Sequence, residues 1–192
     1  MTTPTCKKTL MHLLPLHRNN SSVWLVLAAL ACVAPGLAQD TPPAPAPNPP
    51  ATAATAGQAF PDLADKALQA MRERAETLKI KGVAVVAYVP GDDVKAWSSK
   101  MLMVGQLTSQ TSTNDPGSNL LGIAYSKAAE MATTLKPSGN SGRRKMTGET
   151  GFQGGWIAKG NSGWLICAFS GGRSDQDLQV SKTGVGVLAG GL

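Results

Sequence analysis

The amino-terminal 58 residues limit what this 192-residue chain can fold into, because neither of their two segments can build a packed core. In residues 1–38, three basic residues precede an unbroken apolar run at 23–34, the layout of a secretory signal. Gly36 and Ala38 place small residues at the two positions that signal peptidase recognises, which predicts cleavage before Gln39. Residues 39–58 are rich in proline and alanine, which predicts an extended spacer or a disordered tail. The folded domain is therefore predicted at 59–192.

Cys32 offers a second interpretation of the leader. The sequence Ala29-Leu30-Ala31-Cys32 is similar to a lipoprotein box, in which Cys32 would carry a lipid anchor. Ala29 stands where leucine is usual, so cleavage before Gln39 is favoured. Both interpretations predict export, to the periplasm or the medium.

The residues removed with the leader restrict the chemistry of the remaining chain. Losing three basic residues and no acidic one lowers the formal net charge from +6 to +3, which does not predict a nucleic-acid partner. Both histidines, His12 and His17, lie in the leader, and Cys167 is the one cysteine after it. This excludes an internal disulfide, histidine-activated nucleophiles, the usual zinc sites and histidine ligation of haem iron.

Hydrophobic periodicity predicts the first half of the domain. Apolar residues at helical spacing predict a helix over 61–81 that stops at Gly82. Residues 83–98 predict a hairpin with its turn at 90–93 and its second strand at 94–98. Residues 101–107 are apolar without a clear period, and 108–119 predict a loop.

The second half repeats this pattern. A helix is predicted over 121–135, and the loop 139–151 carries Arg143-Arg144-Lys145, either a solvated charge run or a binding patch. A hairpin over 155–170 follows, and Ser174 is predicted to cap a last helix. The order of helices and hairpins along the chain predicts an α+β sandwich, in which helices cover a mostly antiparallel sheet built from two hairpins.

Several short motifs follow one another in the carboxyl-terminal part. They are Gly154-Gly155-Trp156-Ile157, the turn at 160–163, the apolar strand 164–169, Ser170-Gly171-Gly172 and Gln176-Asp177. An alanine-rich segment containing a lysine precedes them, Ala124-Tyr125-Ser126-Lys127-Ala128. Together these motifs resemble the GlcG/HbpS family of small domains, described as haem-binding or haem-degrading. The middle segment 98–119 departs from the family pattern.

The resemblance implies a profilin-like (GlcG-like) fold, homo-oligomers and, in some members, a bound haem or other small ligand. The family has no single activity, so the resemblance narrows fold more than function. The candidate cofactor-binding residues are Gly171, Gly172, Arg173, Ser174, Lys127 and Gly155.

Residues 170–174 join a strand to a helix and allow two interpretations. Free backbone amides and the helix dipole would bind a carboxylate or phosphate, with Arg173 adding charge. Alternatively, the glycines serve a tight turn and Asp177 completes a helix cap. Both interpretations stay open on the sequence alone.

The other reactive side chains give weaker signals. Cys167 lies in an apolar strand, which predicts a buried, unreactive thiol, and Met101, Met103 and Tyr125 are no better supported as haem ligands. The carboxylates are scattered and form no acid–base or metal pair. The strand tryptophans are expected in the core or at a subunit interface.

These observations favour an exported, non-catalytic, oligomeric domain that binds a small ligand, with haem the candidate that the resemblance implies. The alternative is an extracytoplasmic structural or protein-interaction module without a cofactor, which predicts no pocket near Gly171. An enzyme using Cys167 or a carboxylate is the third hypothesis, and it lacks a base to activate a nucleophile.

Overall fold

The structure is a computed structural model that describes residues 51–192. The predicted signal segment, the proposed lipid anchor at Cys32 and the spacer up to residue 50 lie outside the described residues. None of the helices in the described part is long and apolar enough to cross a membrane.

Four strands form one antiparallel sheet. They are β1 (Gly82–Pro90), β2 (Ser98–Val104), β5 (Gly155–Lys159) and β6 (Gly163–Ser170), in the spatial order β2-β1-β6-β5. Strand β1 pairs with β2 and β5 pairs with β6, and β1 also pairs with β6 to join the two hairpins. Two short strands, β3 (Thr108–Ser109) and β4 (Ser118–Asn119), pair inside the segment predicted as a loop.

Within residues 51–192, three helices cover both faces of this sheet. They are α1 (Ala51–Thr77), α2 (Leu120–Thr134) and α3 (Ser174–Ala189). Along the central strands, alternate residues face opposite sides: Val86 and Cys167 belong to the core under α1 and α3, whereas Val85 and Ala168 belong to the core under α2. The predicted α+β class with a mostly antiparallel sheet is confirmed.

Helix α1 begins earlier than the sequence pattern predicted. It starts at Ala51, inside the segment interpreted as a spacer, and contains Pro61. The alanine-rich residues before Pro61 favour a helix. Phe60 is 2% exposed and stacks on Tyr88 with ring centroids 6.0 Å apart, so this turn of the helix contributes to the core.

The second strand of the first hairpin was predicted at 94–98, and this is wrong. The strand runs over Ser98–Val104, and residues 91–97 form a longer connection in which Val94 is exposed. Met101 and Leu102 face opposite sides of the sheet and pack on its two cores. An edge strand with apolar residues on both faces shows no simple alternation, which hid it in the sequence.

Candidate functional site

Residues 170–174, here called the Gly171 turn, connect β6 to α3 and lie against the start of β1. Gly171 has φ +150°, and a Cβ added there would overlap the Lys81 carbonyl and lie 2.7 Å from Gly82 Cα. A Cβ added at Gly82 would in turn overlap the Ser170 carbonyl. The two backbones approach so closely that both positions require glycine.

The start of α3 differs from the predicted cap at Ser174. Arg173 occupies the cap position, and its backbone N–H donates to Gln176 Oε1 over 3.1 Å. The N–H of Gly172 donates to Asp177 Oδ1 over 2.9 Å. Two amides that an anion would use at this turn are therefore satisfied by side chains of α3 itself.

Arg173 does not contribute its charge to the turn. Its guanidinium pairs with the Asp175 carboxylate over 3.2 Å, and its side chain is 75% exposed. The hydrogen bond from Arg173 lowers the pKa of the Asp175 carboxyl. Arg173 therefore forms a solvated local pair beside the turn.

Lys127 and Asp177 form a buried ion pair beneath the turn. Lys127 Nζ lies 2.7 Å from Asp177 Oδ2, and the two side chains are 2% and 5% exposed. The ammonium also donates to the Phe169 carbonyl over 2.7 Å. The pair thus ties α2 to the end of β6 and to the first turn of α3, across both faces of the sheet.

Ser181 extends this buried polar network toward β5. Its hydroxyl accepts the Phe169 N–H over 3.1 Å and donates to the Gly154 carbonyl over 2.7 Å. Gly154 lies directly over the ion pair, and a Cβ there would come within 2.5 Å of Asp177 Cβ and 3.2 Å of Lys127 Nζ. The network fixes the ends of both carboxyl-terminal strands around the ion pair.

Burial has the largest effect on the proton affinity of both partners. Desolvation lowers the pKa of Lys127, and the attraction of Asp177 opposes this shift. Desolvation raises the pKa of Asp177, and Lys127 opposes that shift in turn. Both directions show that the protein interior disfavours each charge and that each partner compensates for the other.

A cavity of about 260 Å³, here called the turn cavity, borders the ion pair. Its polar lining residues are Ser109, Ser118, Lys127, Gln153, Ser170, Gly171, Gly172, Ser174 and Asp177. Its apolar lining residues are Leu120, Ile123 and Phe152. An ammonium has three N–H groups, and Lys127 has two described acceptors, so one N–H of this lining residue has no described partner.

The structure places the six predicted site residues in three environments. Lys127, Gly171, Gly172 and Ser174 line the turn cavity, whereas Arg173 is not among its lining residues. Gly155 lines a neighbouring cavity of about 380 Å³, where its N–H donates to Ser138 Oγ over 2.8 Å. A Cβ at Gly155 would lie 2.5 Å from Met131 Cε, so tight packing explains this glycine.

Sequence reasoning missed several residues of the turn cavity. Ser109 and Ser118 come from the predicted loop 108–119, and Phe152 lies between the predicted loop 139–151 and the second hairpin. Only the tertiary fold brings these residues to the turn. The sequence predicts Asp177 as a capping residue and gives no sign that it is the partner of Lys127. One signal was present: Lys127 lies three residues after Ala124 and four before Met131, on the buried stripe of α2.

The tryptophans occupy different places. Trp156 packs against the core under α1 and α3, with Lys182 Nζ 4.4 Å from its ring centroid. Trp164 packs against the core under α2, with Lys159 Nζ 4.8 Å from its ring centroid. Trp97 is 36% exposed and lies beside Tyr125.

The Cys167 thiol is expected to resist alkylation in the folded protein. It is fully buried under α1 and α3, and desolvation strongly raises its pKa, so little thiolate is available. Iodoacetamide treatment followed by peptide mass analysis should leave Cys167 unmodified in buffer and label it in denaturant. Fast labelling of Cys167 in buffer would show that the strand opens or the thiol is exposed, and would favour the enzyme hypothesis.

The residues around the turn cavity do not fit a haem group. None of the lining residues offers an imidazole, thiolate, thioether or phenolate to the iron. The cavity is also smaller than the roughly 300–1,000 Å³ typical of cofactor pockets. No group of three or more metal-ligating histidine, cysteine or carboxylate side chains occurs within residues 51–192.

Comparison with known proteins gives a distant likeness in fold. No family model matches the chain, and no curated protein matches it. Among solved structures, the chain is similar to the crystal structure of a PduOC–haem complex, with 15% sequence identity and a TM-score of 0.46. The alignment covers 66% of this chain and 91% of that one. This likeness concerns the arrangement of helices and strands alone.

Proposed function

We propose that this domain is an exported, non-catalytic and oligomeric binding module whose turn cavity holds a small polar ligand. The observation that carries the proposal is the placement of a buried ammonium group with one remaining N–H beside a cavity lined by hydroxyl and amide groups. A well-packed interaction module would have no pocket at Gly171, which makes the binding module the better account. Export is supported by the charge and apolar pattern of the leader.

The electrostatics favour an uncharged ligand over an anion. Asp177 neutralises Lys127 at 2.7 Å and also accepts the Gly172 N–H. An anion at the turn would approach this carboxylate without support from Arg173, which pairs with Asp175. The anion pocket inferred from the glycine turn is therefore less favoured than a site for a neutral, hydroxylated molecule.

The size and lining of the cavity narrow the ligand class. A volume of about 260 Å³ equals roughly nine water molecules at about 30 Å³ each. Serine hydroxyls and the Gln153 amide supply donors and acceptors, and Phe152 supplies an exposed apolar edge. This combination suits a compact polyol or a single sugar ring, which has both hydroxyl groups and an apolar face.

The proposal is tested with full-length protein and four probes: glycerol, glucose, glycolate and inorganic phosphate. We expect an uncharged hydroxylated probe to raise the unfolding temperature saturably, because it binds the folded state alone. Ser118 is exposed and lines the cavity, so Ser118→Phe should fill it and abolish the stabilisation. Ser112→Phe makes the same change at an exposed position of the same segment and should keep it.

Two results would contradict the proposal. One is a flat response to glycerol and glucose, and the other is equal stabilisation of the Ser118→Phe and Ser112→Phe variants. A response to phosphate or glycolate alone would restore the anion interpretation. A haemin titration read at the Soret band extends the comparison, and a saturable shift abolished by Ser118→Phe would show that the cavity opens to accept haem.

A further inference from the structure

A second cavity lies between the end of α1 and the end of edge strand β2, and we propose that it binds a small amphiphilic anion. Its volume is about 490 Å³, within the range typical of ligand pockets. We call it the basic groove; it is lined by Arg72, Glu76, Lys79, Ile80, Lys81, Met103, Val104 and Gly105. The turn cavity shares none of these residues.

The groove carries an excess of positive charge. Arg72 and Glu76 form an exposed ion pair one helical turn apart, with 2.9 Å between Nε and Oε1, and neutralise each other. Lys79 and Lys81 are exposed, and neither forms an ion pair with an acidic side chain in the described part of the chain. Two uncompensated ammonium groups therefore face one groove, which selects for a negatively charged head group.

The same groove has an apolar wall. Met103 is 50% exposed on β2, and Val104 beside it is buried. Ile80 is half-buried and completes the wall from the α1 side. A methionine side chain adapts to the shape of an apolar ligand. An apolar wall beside two lysines fits a molecule with a carboxylate at one end and a short hydrocarbon body.

The backbone holds both lysines at this position. After α1 the Ile80 N–H donates to the Ala75 carbonyl and the Lys79 N–H to the Glu76 carbonyl, each over 3.0 Å, which is a Schellman motif. Lys79 occupies its left-handed position with φ +55°, where glycine is usual. Gly105 has φ +82°, and an added Cβ would lie 3.0 Å from Lys81 Cγ, so this glycine leaves room for the Lys81 stem.

The carboxyl end of α1 attracts cations, but this attraction explains only the position of Lys79. The helix dipole attracts a cation near the last turn, and this would stabilise Lys79 without any ligand. It does not account for the half-exposed Met103 or for the placement of Lys81 over Gly105 beyond the helix. An amphiphilic anion explains the charge and the apolar wall together.

The test is a calorimetric titration of the full-length protein with octanoate, with octanol as the uncharged analogue. We expect saturable octanoate binding that weakens about tenfold in the double variant Lys79→Gln/Lys81→Gln. Met103→Gln should weaken octanoate binding by a similar factor, because it replaces the apolar wall. Lys66→Gln removes one positive charge from an exposed position of α1 outside the groove and should bind as the wild type does.

The variant Lys79→Gly is a control for weaker binding that is caused by misfolding. Glycine relaxes the left-handed position, so this variant should fold at least as well as the wild type and still bind octanoate more weakly. Equal octanoate affinity in the wild type and the double variant would overturn the proposal. Octanol binding as tight as octanoate binding would overturn it too, because the site would then not distinguish a charged ligand from an uncharged one.

Discussion

Replacing Lys127 with methionine is expected to lower the free energy of unfolding by about 3–5 kcal/mol. Methionine fits the apolar surroundings of α2, but it leaves the Asp177 carboxylate buried at 5% exposure without its ammonium partner. Asp177→Leu should cost a similar amount, because Lys127 then loses its counter-ion. Urea unfolding followed by circular dichroism measures both changes.

The double variant Lys127→Met/Asp177→Leu distinguishes the attraction between the two charges from the cost of burying them. Burial opposes the charged form of each partner, so an apolar pair of similar volume avoids two desolvation costs. We expect the double variant to regain most of the stability that either single variant loses. If its loss instead equals the sum of the two single losses, the two residues do not act as a pair.

The defect of Lys127→Met should also depend on pH. In that variant the attraction of Lys127 no longer opposes the effect of burial, which raises the pKa of the Asp177 carboxyl, and only the hydrogen bond from the Gly172 N–H still lowers it. A raised pKa means that the folded state holds a proton more tightly than the unfolded state, so the contribution to stability is present at low pH and is lost as pH rises. The stability gap to the wild type should therefore narrow when the pH is lowered from 7 toward 4.

Gly171→Ala is the second substitution with a large expected effect, a loss of about 3 kcal/mol or more. The added methyl group would overlap the Lys81 carbonyl, and the backbone cannot move away because β1 and β6 are paired along their length. The matched control is Gly186→Ala in α3, where an added Cβ meets nothing within 4 Å. Alanine at this exposed helical position should raise the free energy of unfolding by about 0.5–1 kcal/mol.

Thermal and urea unfolding of these two variants distinguish the interpretations of the glycine turn. A large loss for Gly171→Ala together with a gain for Gly186→Ala means that Gly171 is required by the close approach of two strands. If Gly171→Ala is as stable as the wild type, that close approach is not what requires glycine at this turn.

The main elements could be predicted because their signals are local. Apolar residues at helical spacing predict helix α2, and a glycine-rich turn between two apolar strands predicts the second hairpin. Strand β2 was misplaced because an edge strand with both faces packed shows no alternation. The start of α1 was misplaced because prolines dominate the composition just before it.

The site was only partly accessible to sequence reasoning. The glycines predict the Gly171 turn, and the family resemblance implies Lys127 as a site residue. Their connection through Asp177 depends on how α2 and α3, on opposite faces of the sheet, meet at the end of β6. Such a contact between distant segments leaves no spacing pattern in the sequence, and neither do the serines that complete the cavity.

The most direct test of the proposed binding site is an amide ¹H–¹⁵N correlation spectrum of the protein, recorded with increasing glucose or glycerol. Ligand in the turn cavity should shift the amide signals of Gly171, Gly172 and Ser174 saturably, and leave the signal of the distant Gly186 in α3 unchanged. Spectra in which the turn signals stay fixed, or in which saturable shifts appear only away from this cavity, would contradict the assignment of the site.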